Sequence, residues 1–193
     1  MTSETIHYLI VPGWQGSPDD HWQSHWQRTL PNSGRVEQDD WLLPQRQAWV
    51  SELDRSVASV SGAVVLIAHS LGCVTVAHWA ASASREALSR VRGALLVAPA
   101  DVERVDCPEP LRNFAPLPVV SLPFPSLLVG SDNDAAASPE RAVALGRQWG
   151  SQVSILSGVG HINVKSGHHR WDQGFAFLYR LQMQIEQQSR RRA

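Results

Sequence analysis

The chain has 193 residues, a length that suits one domain with a sheet covered on both faces better than two independent domains. With 43% hydrophobic and 18% charged residues its composition is that of a globular protein and not a disordered one. A formal net charge of −1 offers no broad basic field, so nucleic acid is not an expected partner.

Met1-Thr2-Ser3-Glu4 lead straight into an apolar run, without the basic start and apolar stretch of a secretory signal. No segment approaches the ~18 apolar residues of a membrane helix, so no membrane span is expected. Cys73 and Cys107 cannot make a disulfide framework, and a cytoplasmic protein with reduced thiols is the simplest expectation.

Short β-branched runs then alternate with longer helical ones. Residues 5–11 read as a strand, and Pro18-Asp19-Asp20 as an acidic start to a helix over 21–30. A weaker strand at 35–40 precedes a helix over 45–60. An apolar strand at 62–68 leads into an Ala-rich helix over 71–84, and 93–98 is again a buried strand. Residues 99–125 are rich in proline and can hold little regular structure; they are where a lid would sit, yet they are too few for a lid domain. A strand at 126–130, a helix over 139–149, a strand at 152–156 and a helix over 171–188 complete the pattern. Arg190-Arg191-Arg192 form the only charge run, and 190–193 read as a frayed basic tail. Strands apolar on both faces, joined by crossovers of helical length, predict a single α/β domain. Its sheet is expected to be parallel and about six-stranded, in 2-1-3-4-5-6 order. Five of the eight tryptophans fall in the first fifty residues, as core mass or as the wall of an apolar pocket.

The chemistry centres on Ala68-His69-Ser70-Leu71-Gly72. A serine hydroxyl needs a base, an oriented base and donors for the oxyanion before it attacks a carbonyl. The G-x-S-x-G elbow supplies the exposed hydroxyl at a strand-to-helix turn, and here Ala68 replaces the first glycine. The strand before Ser70 and the helix after it are the required context. In this arrangement the acid comes next in the chain, then the histidine. Ser131-Asp132-Asn133-Asp134 follows a predicted strand, and spacing alone does not choose between the aspartates. Asp134 is favoured as the one further into the loop; Asp132 is then left to cap the turn or the next helix, and Asp101 is an outside candidate. Gly158-Val159-Gly160-His161 follows the last strand, where glycines let the chain return an imidazole over the sheet, so His161 is the expected base. His69 adjoins Ser70 but is expected to point away from it, His7 and His78 to lie in a strand and a helix, and His168 and His169 to be surface or capping residues.

With strand 1 beside strand 3, the loop Pro12-Gly13-Trp14-Gln15-Gly16 lies next to the elbow, and the backbone N–H groups of Trp14 and Leu71 can converge on an oxyanion. Trp14 is also expected to wall the substrate pocket. His21 and His25 are four apart, as metal ligands on a helix can be, but no glutamate follows His21 and no third ligand is evident, so no metal is expected. Without a G-x-G-x-x-G no dinucleotide site is expected either, and no cofactor.

These residues carry a resemblance. Pro12-Gly13-Trp14 with Ser17 and His21-Trp22, the Ala-His-Ser-Leu-Gly elbow, Leu122-Pro123-Phe124-Pro125-Ser126, Ser131-x-x-Asp134 and Gly160-His161-Ile162-Asn163 resemble the retinoblastoma-binding protein 9 family of serine hydrolases, over roughly residues 5 to 180. The resemblance implies a lidless α/β-hydrolase with a Ser-Asp-His triad at Ser70, Asp134 and His161, since the family's acid sits three places after the matching serine. It also implies an esterase of the bacterial branch. Ala135 stands where a proline commonly follows the acid. The namesake's partner motif L-x-C-x-E is absent, Val105-Asp106-Cys107-Pro108-Glu109 being its nearest approach, so a protein partner is not indicated.

The leading expectation is hydrolysis of a small carboxylic ester, with amide or thioester as lesser options. The alternative is a non-catalytic protein-binding module on a hydrolase scaffold.

Overall fold

The computed structural model describes residues 5–192; Met1 to Glu4, read above for the absence of a signal, and Ala193 of the tail lie outside them. Strand β1 (Ile6–Val11) is followed by helix α1 (Trp22–Thr29), β2 (Ser33–Arg35), α2 (Arg46–Ser59), β3 (Ala63–His69) and α3 (Leu71–Ser82). Next come α4 (Arg85–Arg90), β4 (Val91–Val97), β5 (Ser126–Ser131), α5 (Pro139–Gln148), β6 (Gln152–Leu156) and α6 (Gly174–Arg192). All five strand pairings are parallel, in the expected order β2-β1-β3-β4-β5-β6.

The two-residue side-chain period of a strand sorts the apolar runs into two cores. Leu9, Val11, Val64, Leu66, Leu96 and Leu128 face one side, where Trp49, Trp79 and Trp149 pack. Tyr8, Ile10, Val65, Ile67, Leu95, Val97 and Val129 face the other, against Trp22, Trp26, Trp171 and Leu181. Helices on both faces explain why β3 is buried at every residue.

Four elements differ from the sequence reading. Strand β2 is Ser33–Arg35 and shares only Arg35 with the expected 35–40; further on, the Asp40 carboxylate accepts the N–H groups of Leu42 and Leu43 in a turn. Helix α1 is capped by the His21 ring, whose Nδ1 accepts the Gln23 N–H, and its first turn holds no acid. The unforeseen α4 carries an ordinary signature, with Ser84 capping the Ala87 N–H and Arg90 in the last turn. Arg190 to Arg192 continue α6 as a helix. The proline-rich stretch contains one short 3₁₀ turn, Glu109–Phe114, pinned down by buried Leu111 and Phe114, so it is a wall of the molecule and not a lid domain.

Candidate active site

The nucleophile candidate sits where β3 turns sharply into α3. Ser70 has φ 55° and ψ −121°, a backbone state that L-residues avoid and that a surrounding structure must hold in place. Three hydrogen bonds flank it: the Ser70 N–H donates to the Val97 carbonyl, and the Cys73 and Ala100 N–H groups donate to the Ser70 carbonyl. The turn is tight enough to dictate Gly72, because a Cβ there would lie 2.2 Å from the Val11 carbonyl oxygen and 2.8 Å from that of Pro12. Two residues before Ser70 the Ala68 methyl is buried in the core, so the second elbow position must be glycine and the first need only be small.

Ser70 Oγ lies 2.9 Å from His161 Nε2, and His161 Nδ1 lies 2.9 Å from both carboxylate oxygens of Asp134. The Asp134 side chain is 3% exposed and its Oδ1 also accepts the Ala136 N–H. Since a carboxylate only accepts, Nδ1 carries the ring proton and Nε2 presents its lone pair to the serine. Asp132 points elsewhere. Its carboxylate accepts the Ser157 hydroxyl and the Gly158 N–H, and both hydrogen bonds hold its pKa below the usual carboxylate value. It therefore braces the loop leading to His161, whereas the next helix is capped by Ser138. Asp101 pairs with Arg141 at 3.1 Å and has no contact with His161.

Bracing of the histidine loop is the part that sequence reading missed. Three consecutive amides are each held by the β5 loop: Gly158 by Asp132, Val159 by the Ser131 hydroxyl and Gly160 by the Asn133 side chain. Gly158 (φ +69°) and Gly160 (φ +59°) supply the left-handed turns this path requires. On the far side, the Trp22 indole donates to the Ile162 carbonyl, and His69 Nε2 lies 2.9 Å from the carbonyl oxygen of His161 itself. His69 thus does not turn away from the site; it supports the candidate base and lines the same cavity as Ser70. The only sequence signal was its adjacency to Ser70. Of the other histidines, His78 bonds the Phe114 carbonyl from α3, His168 bonds Ser166 Oγ, and His169 is exposed near Asp20.

The loop after β1 lies against the elbow. A Cβ on Gly13 would fall 2.8 Å from Ser70 Cβ and 3.2 Å from the Leu71 nitrogen, so only glycine lets the next amide, that of Trp14, come so close. Among the described residues, neither the Trp14 nor the Leu71 N–H has a hydrogen-bond acceptor. The Trp14 indole is anchored to the Leu42 carbonyl, and the residue lines the cavity above Ser70. Of the five early tryptophans, Trp22, Trp26 and Trp49 are core, Trp41 is half-buried, and Trp14 lines this cavity.

That cavity measures about 460 Å³, and its walls include Trp14, His21, His69, Ser70, Leu111 and His161. It opens at the carboxyl ends of the strands, where parallel α/β sheets place their ligands. A larger hollow of about 580 Å³ lies beside Val91, Phe124 and Ile185 at the amino ends, away from Ser70. Burial pushes the Cys73 thiol above its ordinary range, so it is no rival nucleophile. Among the described residues no group of three His, Cys, Asp or Glu side chains is arranged to hold a metal, and no helix is long and apolar enough to cross a membrane.

The family described as serine hydrolase matches residues 8–180 of the chain. Among solved structures, a protein described as a YdeN-like hydrolase from Pectobacterium atrosepticum is 29% identical, with a TM-score of 0.81 over 94% of this chain and 92% of that one. The ydeN gene product of B. subtilis is 17% identical, with a TM-score of 0.76 over 92% and 98% of the two chains. A thermophilic esterase from Thermogutta terrifontis is 14% identical, with a TM-score of 0.66 over 94% and 90%. No curated protein sequence matches the chain.

Proposed function

Since the chain belongs to the serine hydrolase family, we propose that it cleaves a small carboxylic ester through Ser70, His161 and Asp134, within the retinoblastoma-binding protein 9 branch that its motifs resemble. The observation that carries this reading is the unbroken line of 2.9 Å contacts from the Ser70 hydroxyl through the His161 ring to the Asp134 carboxylate.

Ser70 Oγ attacks the ester carbonyl carbon while its proton passes to His161 Nε2. Asp134 holds the ring in the Nδ1–H tautomer and balances the imidazolium that forms. The negative charge moves onto the carbonyl oxygen, which receives the free N–H groups of Leu71 and Trp14. Collapse expels the alcohol, which takes the proton from His161, and leaves an acyl group on Ser70. Water then attacks the acyl carbon, giving its proton to Nε2, and release of the acid restores the Ser70 hydroxyl. The open cavity and the Trp14 wall suit a modest apolar group on the substrate.

A fluorophosphonate probe should label the protein once, at Ser70, and a Ser70→Ala variant should not react. Equal labelling of that variant refutes the assignment; a wild-type chain that neither reacts nor turns over any ester, amide or thioester favours a binding module instead.

A further inference from the structure

The polar lining of the cavity beside Ser70 is not used by the hydrolytic steps. His21 is 4% exposed, and its Nδ1 accepts the Gln23 N–H at the start of α1. An imidazole nitrogen that accepts from a backbone amide is unprotonated, so the ring proton is on Nε2. His21 lines the cavity, and this N–H has no partner among the described residues. His69 is 5% exposed and presents the opposite polarity. Its Nε2 faces the His161 carbonyl oxygen, which can only accept, so Nε2 carries the proton and Nδ1 is a lone pair with no partner among the described residues. The two rings meet edge to face with centroids 5.0 Å apart, and no hydrogen bond joins them. Desolvation keeps both neutral, lowering His21 to about 3 and His69 well below its ordinary value.

Neither nitrogen is sealed from solvent, so a ligand that displaces water from this wall of the cavity must replace the hydrogen bonds of one donor and one acceptor. Being uncharged, they do not favour an anion. A hydroxyl answers both at once, accepting from one nitrogen and donating to the other. Building on the hydrolase reading, we propose that His21 Nε2–H and His69 Nδ1 together bind a hydroxyl group of the substrate, so that the preferred esters are hydroxylated close to the scissile bond. His21 and His69 are then specificity residues, and the apolar Trp14 wall takes the remainder of the molecule.

Two probe pairs test this and separate the two places such a hydroxyl can occupy. 4-Nitrophenyl 3-hydroxybutyrate against 4-nitrophenyl butyrate puts it on the acyl side, and 2-hydroxyethyl butyrate against propyl butyrate puts it on the alcohol side. Wild-type kcat/KM should favour the hydroxyl member of one pair by about tenfold, the value of one to two net hydrogen bonds. His21→Asn keeps a side-chain acceptor for the helix cap but withdraws the N–H from the cavity, and it should reduce that ratio to below about twofold. Fluorophosphonate labelling of Ser70 reports whether the variant is folded, and His21→Ser, also a capping residue, replaces it if it is not. Equal rates within both wild-type pairs overturn the proposal, as does a preference that survives in the variant or a stronger preference for 4-nitrophenyl hydrogen succinate. Absence of Ser70 labelling in the wild type is a different failure, that of the hydrolase reading itself.

Discussion

Replacing Gly72 by alanine tests how the elbow is built. The added methyl would meet the Val11 carbonyl oxygen at 2.2 Å, the Pro12 carbonyl oxygen at 2.8 Å and the Val11 carbonyl carbon at 3.0 Å. All three are backbone atoms of β1 and its loop, so no side chain can rotate away, and α3 must move off the sheet by the better part of an ångström. Overpacking a rigid interior costs about 1–3 kcal/mol, and the backbone partners here place Gly72→Ala at about 3 kcal/mol. The same shift separates the Leu71 amide from the Trp14 loop, and with the two amides acting as the proposed oxyanion donors, spoiling one costs about a hundredfold in rate. Gly34→Ala is the matched control: its methyl would touch only Leu9 Cδ1, at 3.8 Å, and alanine in a strand is favoured over glycine by about 0.5 kcal/mol. Urea unfolding should show a large loss for Gly72→Ala and none for Gly34→Ala, and fluorophosphonate labelling should slow only in the former. Stabilities within about 0.5 kcal/mol of each other, or normal labelling in a destabilised Gly72→Ala, would refute the argument.

Two further outcomes follow from the same geometry. Asp134→Asn should lower ester turnover by about 10³–10⁴-fold through loss of the tautomer-fixing carboxylate, while Asp132→Asn, which loosens only the loop, should lower it by about tenfold; comparable losses would overturn the division of roles. Stability should fall in mild acid. His21 takes up a proton only near 3 when folded but near 6.5 when unfolded. The unfolded chain therefore binds more protons below 6.5, and stability is full above that value and declines as the pH drops toward 3. Between pH 7 and 5 this amounts to about 2 kcal/mol for His21, and buried His69 shifts in the same direction. An unchanged urea midpoint at pH 5 would contradict it.

The strand order, the positions of Ser70 and His161 and the loop that holds the acid were legible because they depend on local patterns: apolar runs of strand length, glycines at the turns, and polar residues just beyond the strand ends. Spacing could not separate Asp134 from Asp132, because both follow the same strand and only the course of the loop sends one carboxylate to His161 and the other to Ser157 and Gly158. The position of β2 was missed because Ser33-Gly34-Arg35 carry no apolar alternation and are strand only through their pairing with β1.

The sequence by itself determined that a serine stands at a tight strand-to-helix turn and that an acid and a histidine follow later strands. These are properties of single segments and their order. Only the tertiary structure decided what holds and surrounds them, because those contacts join residues far apart in the chain: the His69 ring under the His161 carbonyl, the Trp22 indole on Ile162, and the β5 loop gripping three successive amides. A histidine read from sequence is a ring with two interchangeable nitrogens. In the fold, the partner of one nitrogen fixes the state of the other, and that makes His21 a donor and His69 an acceptor beside Ser70.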